Sequence, residues 1–265
     1  MTTLDGREPT TQIAGWPLIA AGRIKLLDID PELAQDGHRS DGAHQLTVPA
    51  FRLARGALPS PSEDGSEPHL GLLILSGLVM REVIVCGRPS AELLGPGDLI
   101  RPWQSDGVEL LPRSVNWVVL EKAVVADLGP AFASRVASAP EIVQALIERS
   151  IDRAQSLGVD RAIASHVRVD VRVLAFLWHL AERWGVVLPG AVRIDVPLTH
   201  SVLARLVGAR RPTVTTALQR LIHLGYLRRD NGAFILTGDA SNVAELESRS
   251  PSRDFEVPSP PAPGR

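Results

Sequence analysis

Cysteine and lysine are both scarce in this chain of 265 residues: Cys86 is the only cysteine, and two lysines stand among 28 basic residues. One thiol cannot form an internal disulfide, and it cannot by itself hold an iron–sulfur cluster or a structural zinc ion. We interpret Cys86 as a small apolar side chain buried in a strand. Because arginine supplies nearly all the positive charge, only the clustering of arginines is informative about function.

Long apolar runs and central histidines are also missing. The longest apolar runs, residues 70–75 and 115–120, are far too short to cross a bilayer, and the first ten residues lack the pattern of a signal peptide. Residues 70–165 contain no histidine, which argues against a metal enzyme of the cupin type, because such an enzyme holds its metal with barrel histidines and carboxylates. We expect a cytoplasmic protein with no membrane contact and no enzymatic activity.

The composition is ordinary for a globular protein, with 45% hydrophobic and 22% charged residues and a net charge of −2. The length admits two domains. Residues 1–45 are mixed in character and predict a loosely structured lead-in. Residues 46–135 hold short apolar or alternating runs at roughly ten-residue spacing, which is typical of an antiparallel barrel or jelly roll. Within this region, residues 59–69 are typical of a surface loop.

Helical spacing follows the strand-like region, and a long helix is predicted over residues 136–168. Its apolar residues recur at steps of three and four and therefore share one face. These residues are Val143, Ile147, Ile151, Ala154 and Leu157. The face can pack on the chain's own barrel or pair with the same helix of a second subunit, and we favour the second because of the segment that follows. Gly158 predicts a bend or the end of the helix.

Two further segments frame the C-terminal region. A second helix is predicted from Asp170, taken as its N-cap, to Trp184, and Gly185 stops it. Residues 239–265 end in a stretch that is rich in proline and serine and poor in apolar residues. Such a composition cannot bury enough surface to fold, so a disordered tail is predicted there.

Between these segments, residues 197–237 read PLTHSVLARLVGARRPTVTTALQRLIHLGYLRRDNGAFILT. Thr199 can cap a first helix, Gly208 suits a sharp turn because glycine adopts positive φ freely, and Pro212 suits the first turn of a second helix. Asn231 and Gly232 form a strong hairpin signal. The pattern predicts a winged helix-turn-helix over residues 169–238.

Positive charge is concentrated in this motif, since six arginines and no acidic residue lie between Asp195 and Asp230. Val214, Leu218 and Leu221 recur at i, i+4 and i+7 and should face the first helix. The opposite side of the second helix then presents side chains that reach phosphates and base edges. The predicted DNA-binding residues are Thr199, Arg210, Arg211, Thr213, Thr215, Thr216, Gln219, Arg220, Arg228 and Arg229.

The stretches RVLAFLWHLAERWG (172–185), LTHSVLARLVGARRPTVTTALQRL (198–221) and LGYLRRDNGAFIL (224–236) resemble the cyclic-AMP receptor protein and fumarate–nitrate regulator (Crp/Fnr) family of bacterial transcription factors. The resemblance implies an α+β chain with a cyclic-nucleotide-binding-like β-roll over residues 46–135. It also implies that residues 136–168 form a dimerisation helix, and that the winged helix reads a near-palindromic operator as a homodimer.

At one of the family's base-reading positions this chain has the family's usual residue, and at two others it has a different residue. It implies that Arg211 contacts DNA. Pro212 and Thr216 stand where the family commonly has a glutamate and an arginine. Because a carboxylate acceptor and a guanidinium are lost, the operator should differ from the common family consensus.

The effector pocket departs further from the family. Nucleotide-binding members follow a Pro-Gly-Asp turn with a Gly-Glu pair and a phosphate-holding helix, whereas this chain continues with Arg-Pro-Trp at residues 101–103 and is short before Val108. Arg113 resembles the phosphate arginine of an incomplete site. We expect a degenerate pocket without cyclic AMP and no cofactor. Arg101 and Arg113 are candidate contacts to another anion, with solvated arginines as the alternative.

The expected partners are double-stranded DNA, a second copy of the chain and RNA polymerase. A small-molecule effector is either unknown or absent. An alternative function is a protein- or small-molecule-binding module in which the helix-turn-helix has become a contact surface. The salt dependence of binding distinguishes the DNA-binding function from this alternative, because DNA binding weakens steeply through counterion release as the salt concentration rises.

Overall fold

The computed structural model describes residues 10–13, 15–33, 46–59, 69–103 and 110–249. The chain divides into two compact units, one formed by residues 1–162 with 204–208 and the other by residues 163–203 with 209–265. The first unit contains an antiparallel sheet and a long helix. Among the described residues, the second contains three whole helices, parts of two others and a small sheet.

The strands of the first unit are β1 Thr10–Ile13, β2 Trp16–Lys25, β3 Thr47–Leu53, β4 Gly56–Leu58, β5 Leu72–Val85, β6 Arg88–Leu94, β7 Leu99–Ile100 and β8 Arg113–Asp127. They form one eight-stranded sheet in the order β1-β2-β3-β8-β5-β6, with β4 paired to β8 and β7 paired to β5. All its pairs are antiparallel. The α+β fold class with a β-roll is therefore confirmed.

The prediction of a loose lead-in is wrong for its described residues, 10–13 and 15–33. They form β1, β2, the short helix α1 (Leu26–Ile29) and a single 3-10 turn. Trp16 and Leu18 are completely buried, because alternate residues of a strand face the same core. Trp16 also packs edge-on against Trp117, with ring centroids 5.3 Å apart. Residues 1–9, 14 and 34–45 lie outside the described part of the chain.

The interpretation of Cys86 as a buried strand residue is also wrong. β5 ends at Val85, and Cys86 is exposed in the turn that leads into β6. Cys86 and Gly87 both have positive φ, 50° and 72°. Two positive φ values in a two-residue connection match the twist of antiparallel strands. The predicted surface loop has residues 60–68 outside the described part.

Two apolar clusters fill the first unit. One lies within the sheet and includes Trp16, Ile74 and Trp117. The other includes Phe132 of helix α2 (Pro130–Val136) and Leu146 of helix α3 (Pro140–Ser165). The roll and the start of α3 therefore share one core.

Helix α3 runs through Gly158 without interruption, so the prediction that the helix ends there is wrong, and the alternative of a bend stays a prediction. A helix-interior glycine costs only about 1 kcal/mol relative to alanine, which neighbouring residues can offset. The helix packs on the roll through Ile142, Ala145 and Leu146, which belong to the buried cluster. Of the face predicted from the sequence, Val143 packs against the same cluster, whereas Ile147, Ile151 and Leu157 are exposed by 55%, 51% and 40%. Packing on the described part of the roll therefore accounts for the start of that face and not for the rest.

Arginines add a second connection between α3 and the roll. Arg149 donates two hydrogen bonds to the carboxylate of Asp30, and this pairing raises the pKa of Arg149. Arg153 donates to Glu92 at 2.7 and 3.2 Å and to the carbonyl of Leu99 at 2.9 Å. Bidentate pairs of this kind fix orientation as well as distance.

The second unit contains the helices α4 Val169–Trp184, α6 Arg211–His223 and α7 Ser241–Ser248, and α5 His200–Leu206 starts in it. Its strands are β9 Gly185–Leu188, β10 Ala191–Ile194, β11 Leu227–Asp230 and β12 Ala233–Thr237. The strands form an antiparallel sheet in the order β11-β12-β10-β9.

Two sequence predictions are wrong here. Arg168 is the N-cap residue of α4, and Asp170 lies inside the first turn, where its carboxylate is buried. The predicted disordered tail contains helix α7, because Leu246 finds a completely buried position. Residues 250–265 are outside the described part.

The described residues contain neither a candidate membrane span nor a candidate metal cluster. None of the helices there is both long and apolar enough to cross a membrane. Nor do any three His, Cys, Asp or Glu side chains of those residues come together in a way that could hold a metal ion.

Candidate nucleic-acid interface

The turn between α5 and α6 has the geometry that the sequence predicts. Thr199 accepts a hydrogen bond at Oγ1 from the N–H of Val202 at 3.2 Å, which caps α5. Gly208 has a φ of 61°, a left-handed conformation that other residues adopt only at a cost. Helix α6 then begins at Arg211, with Pro212 in its first turn. The start of α6 is therefore set by residues on both sides of the turn.

Helix α6 has one buried side and one exposed side. Val214, Leu218 and Leu221 are buried, as their spacing predicts. The exposed predicted contacts are Arg210, Arg211, Thr213, Thr216 and Gln219. Because a recognition helix reads DNA with its N-terminal residues, this side is the one available to base edges.

Thr215 is half-buried and links the starts of α5 and α6. Its hydroxyl donates to the carbonyl of Arg211 at 3.1 Å, and Nδ1 of His200 lies 2.9 Å from its Oγ1. The tautomer of His200 sets which of these two side chains donates to the other. Sequence reasoning missed His200. The available signal was its place directly after the capping residue Thr199.

Thr216 is exposed, and its hydroxyl donates to the carbonyl of Pro212 at 3.3 Å. This bond uses the hydroxyl proton, so Thr216 offers DNA an acceptor oxygen and a methyl group. A methyl group suits contact with the methyl of thymine.

Arg220 does not lie on the exposed side of α6. Its side chain is only 14% exposed, and Nη1 lies 3.1 Å from Oδ2 of Asp170. Arg220 is therefore not presented with the exposed candidates of α6, and its contact with DNA stays a prediction. Arg220 follows the buried Ala217 by three residues, which brings it to the inner rim of the helix. The signal that sequence reasoning missed was Asp170, a carboxylate one residue beyond the start of α4.

The hairpin predicted as a wing is formed by β11 and β12. Asn231 and Gly232 have φ values of 47° and 91°, as a two-residue type I′ turn requires. Arg228 is exposed. Arg229 lies over the ring of Phe234 at 3.9 Å from its centroid, and partial burial lowers the pKa of Arg229.

The acidic residues at both ends of the basic segment are paired. Arg193 of β10 donates to Asp195 at 2.7 and 2.9 Å and to Asp230 at 2.9 Å. The hydrogen bonds to Asp195 raise the pKa of Arg193 and lower the pKa of that carboxyl. The exposed Arg210, Arg211 and Arg228 therefore determine the local sign of the potential, which is positive.

The two arginines proposed for the effector pocket do not form a common site. Arg101 follows β7, whose Ile100 pairs with Leu72, and Arg113 pairs with Val85. Leu72 and Val85 are the two ends of β5, which corresponds to about 40 Å along an extended strand. Arg101 is exposed and its guanidinium lies 5.5 Å from the ring centroid of Trp103.

Comparison with known proteins agrees with this geometry. A model of the Crp-like helix-turn-helix domain matches residues 171–240. The CRP-like cAMP-activated global transcriptional regulator of Mycobacterium tuberculosis is 30% identical over 152 residues, which are 57% of this chain and 67% of that protein.

Solved structures show the same fold at lower identity. FixK2 from Bradyrhizobium japonicum has a TM-score of 0.55 at 16% identity over 77% of this chain and 100% of its own. A cyclic nucleotide-binding domain containing protein from Listeria monocytogenes has a TM-score of 0.59 at 16% identity over 73% and 90%. The fold and the interface define a DNA-binding transcriptional regulator with a winged helix-turn-helix. The chain belongs to the Crp/Fnr family.

Proposed function

We propose that the protein regulates transcription as a homodimer, in which two α3 helices pair and two α6 helices read a near-palindromic operator. The carrying observation is the apolar face of α3, on which Ile147, Ile151 and Leu157 are exposed by 55%, 51% and 40%. Contiguous exposed apolar side chains at helical spacing mark a protein contact. A two-fold pairing buries the same face on both copies.

The surface beside this face supports the same assembly. Val136, Pro140, Val143 and Ile147 line an apolar groove of about 480 Å³ at the start of α3. Side chains of a second α3 can insert into such a groove. The proposal thus accounts for both an exposed stripe and the space next to it.

A dimer of this kind holds two recognition helices about one DNA turn apart, so its operator has two-fold related half-sites. Arg211 at the start of α6 suits a bidentate contact with guanine. Pro212 offers no carboxylate acceptor, and Thr216 offers a methyl group and one acceptor. The operator therefore differs from one that is read by glutamate and a second arginine.

We also propose that the protein acts in the cytoplasm and that RNA polymerase is one of its partners.

We propose further that the roll does not bind cyclic AMP. The M. tuberculosis relative is described as cAMP-activated, which is a statement about that protein. Here the buried carboxylate of Glu92 already accepts from Arg81 at 2.8 Å and from Arg153 at 2.7 Å. This carboxylate therefore engages both guanidiniums, so a phosphate would have to displace it from Arg81 or Arg153. Calorimetric titration with cyclic AMP should give no binding heat, and saturable heat would overturn this part.

Footprinting tests the dimer and its operator together. Genomic fragments bound by the purified protein should show two protected half-sites about 10 base pairs apart, centre to centre. Sedimentation equilibrium should give twice the mass of the chain. A single protected half-site with a monomeric mass would contradict the homodimer while leaving DNA binding intact.

A further inference from the structure

One carboxylate is buried inside the DNA-binding unit. The Asp170 side chain is 7% exposed. Its Oδ1 accepts from Arg168 Nε at 3.2 Å and from the Val171 N–H at 3.0 Å. Its Oδ2 accepts from Arg168 Nη2 at 2.7 Å and lies 3.1 Å from Arg220 Nη1. The two guanidinium partners offset the free-energy cost of removing this carboxylate from water.

Arg168 also reaches in the opposite direction, towards helix α7. Its Nη1 donates to the carbonyls of Leu246 and Arg249, each at 2.7 Å. The Leu246 carbonyl also accepts from the Arg249 N–H at 3.3 Å, so Arg168 adds a second donor at the end of α7. Polar contacts therefore run without a gap from the end of α7 through Arg168 and Asp170 to Arg220 of α6.

Helix α7 contacts the base of the wing as well. Asn242 Nδ2 donates to the carbonyl of Thr237 in β12 at 2.7 Å. The guanidinium of Arg249 lies 5.8 Å from the ring centroid of Tyr226, which joins α6 to β11. Helix α7 and its C-cap Arg249 therefore contact the wing, the segment that joins α6 to β11 and, through Arg168, the start of α4.

We propose that Asp170 and Arg220 are positioning residues for DNA recognition, and that α7 is part of the same positioning device. Arg220 follows Arg211 by nine residues on one helix, which is about 13 Å along the axis. Holding the far end of a rigid helix sets the angle at which its first turn enters the major groove. The device thus controls Arg211 without contact with DNA.

The inference requires that this unit binds duplex DNA, and it does not require a dimer. A footprint with a single protected half-site would contradict the homodimer proposal, but the affinity measurements described below would still test the roles of Asp170 and Arg220. The competing role for Arg220 is a direct phosphate contact. A phosphate contact acts equally on all sequences, whereas positioning acts on the preferred sequence alone.

The test uses the full chain and two fluorescent duplexes, one enriched by the wild-type protein from a random library and one with the same bases shuffled. Arg220→Met removes the ion pair and leaves Asp170 paired with Arg168, so the unit keeps its buried charge compensated. The matched control is Arg210→Met on the exposed side of α6. Affinity is measured for both duplexes over a series of salt concentrations.

We expect Arg220→Met to weaken binding of the enriched duplex by about tenfold, the order of one lost base discrimination, with little change for the shuffled duplex. The salt slope should stay at the wild-type value, and Arg220→Lys should restore much of the preference. Equal weakening of both duplexes, or a slope reduced by about 0.9 per subunit as expected for a phosphate contact, would overturn the proposal. Unchanged affinities would overturn it too.

Two more variants test the remaining links. Asp170→Asn combined with Arg220→Met should lose no more preference than Asp170→Asn alone, because Asp170→Asn already weakens the ion pair that Arg220→Met removes. If Asp170→Asn does not fold, Arg220→Met alone decides the matter. Leu246→Ala should release α7 and reduce the preference for the enriched duplex. A preference retained in Leu246→Ala with α7 amides open to hydrogen exchange would exclude α7 from the device.

Discussion

Helices α6 and α3 each have one side that the described residues leave uncovered, and the two sides differ in chemistry. The exposed side of α6 carries Arg210, Arg211 and Gln219, which are charged or polar. The exposed side of α3 carries Ile147 and Ile151. A charged side is stable in water and attracts a partner of opposite charge. Exposing an apolar side to water costs free energy, and a partner that covers it removes this cost. The chemistry of each side indicates its partner: DNA for α6 and a second α3 for α3.

The largest expected effect comes from placing charge on the α3 side. Ile147→Glu with Ile151→Glu should leave a monomer at micromolar concentration, because two copies lose four buried isoleucines at about 2 kcal/mol each. Sedimentation equilibrium measures the mass. Gln155→Glu on the same helix adds charge without removing an apolar group and should remain dimeric. If the doubly substituted protein is still a dimer, the exposed apolar side of α3 is not the dimer interface.

On the α6 side, Arg211→Ala should weaken binding of a selected duplex by about 30-fold, since a guanidinium that reads a base contributes on the order of 2 kcal/mol. Fluorescence anisotropy at constant salt measures the affinity. Arg88→Ala removes an exposed arginine from β6 and should change little. If both variants bind alike, the charge of α6 has no special role.

A smaller effect separates phosphate contacts from base contacts. Arg228→Gln on the wing should weaken the selected and the shuffled duplex to the same extent and lower the salt slope by about 0.9 per subunit. Affinities at several salt concentrations measure the slope. Arg55→Gln, an exposed arginine of the roll, should leave it unchanged. Weakening confined to the selected duplex would instead assign Arg228 to base reading.

The smallest effects concern two glycines. Gly158→Ala should raise the free energy of unfolding by about 0.5–1 kcal/mol, because Gly158 is helical and an added Cβ meets nothing within 4 Å. Gly208→Ala should lower it by about 1–2 kcal/mol, because φ is 61° there. Urea denaturation measures both. A destabilised Gly158→Ala that also weakens the dimer would indicate a close helix approach at this position.

Much of the DNA-binding motif could be predicted because its signals are local. The cap at Thr199, the turn at Gly208, the buried Val214 and the hairpin at Asn231 each depend on residues a few positions away. Arg220 could not be placed in the same way. Its partner Asp170 is fifty positions earlier in the chain, and only folding brings the two together.

The same reason explains the errors in the roll and the tail. The start of β2 is a short apolar stretch, WPLIAA, and its Trp16 meets Trp117 across the core. Helix α7 has a single completely buried residue, Leu246, and Arg168 donates to the Leu246 carbonyl at its end. Short segments of this kind become ordered when distant parts of the chain supply contacts that neighbouring residues cannot.

The sequence by itself determined the class of protein, the turn and hairpin of the reading motif and the concentration of arginine there, because capping, glycine conformation and charge are properties of neighbouring residues. The tertiary structure alone decided which arginines of the motif are exposed and which meets Asp170, and which side of α3 the described part of the roll leaves uncovered. Burial and pairing are properties of residues that meet only in the folded chain.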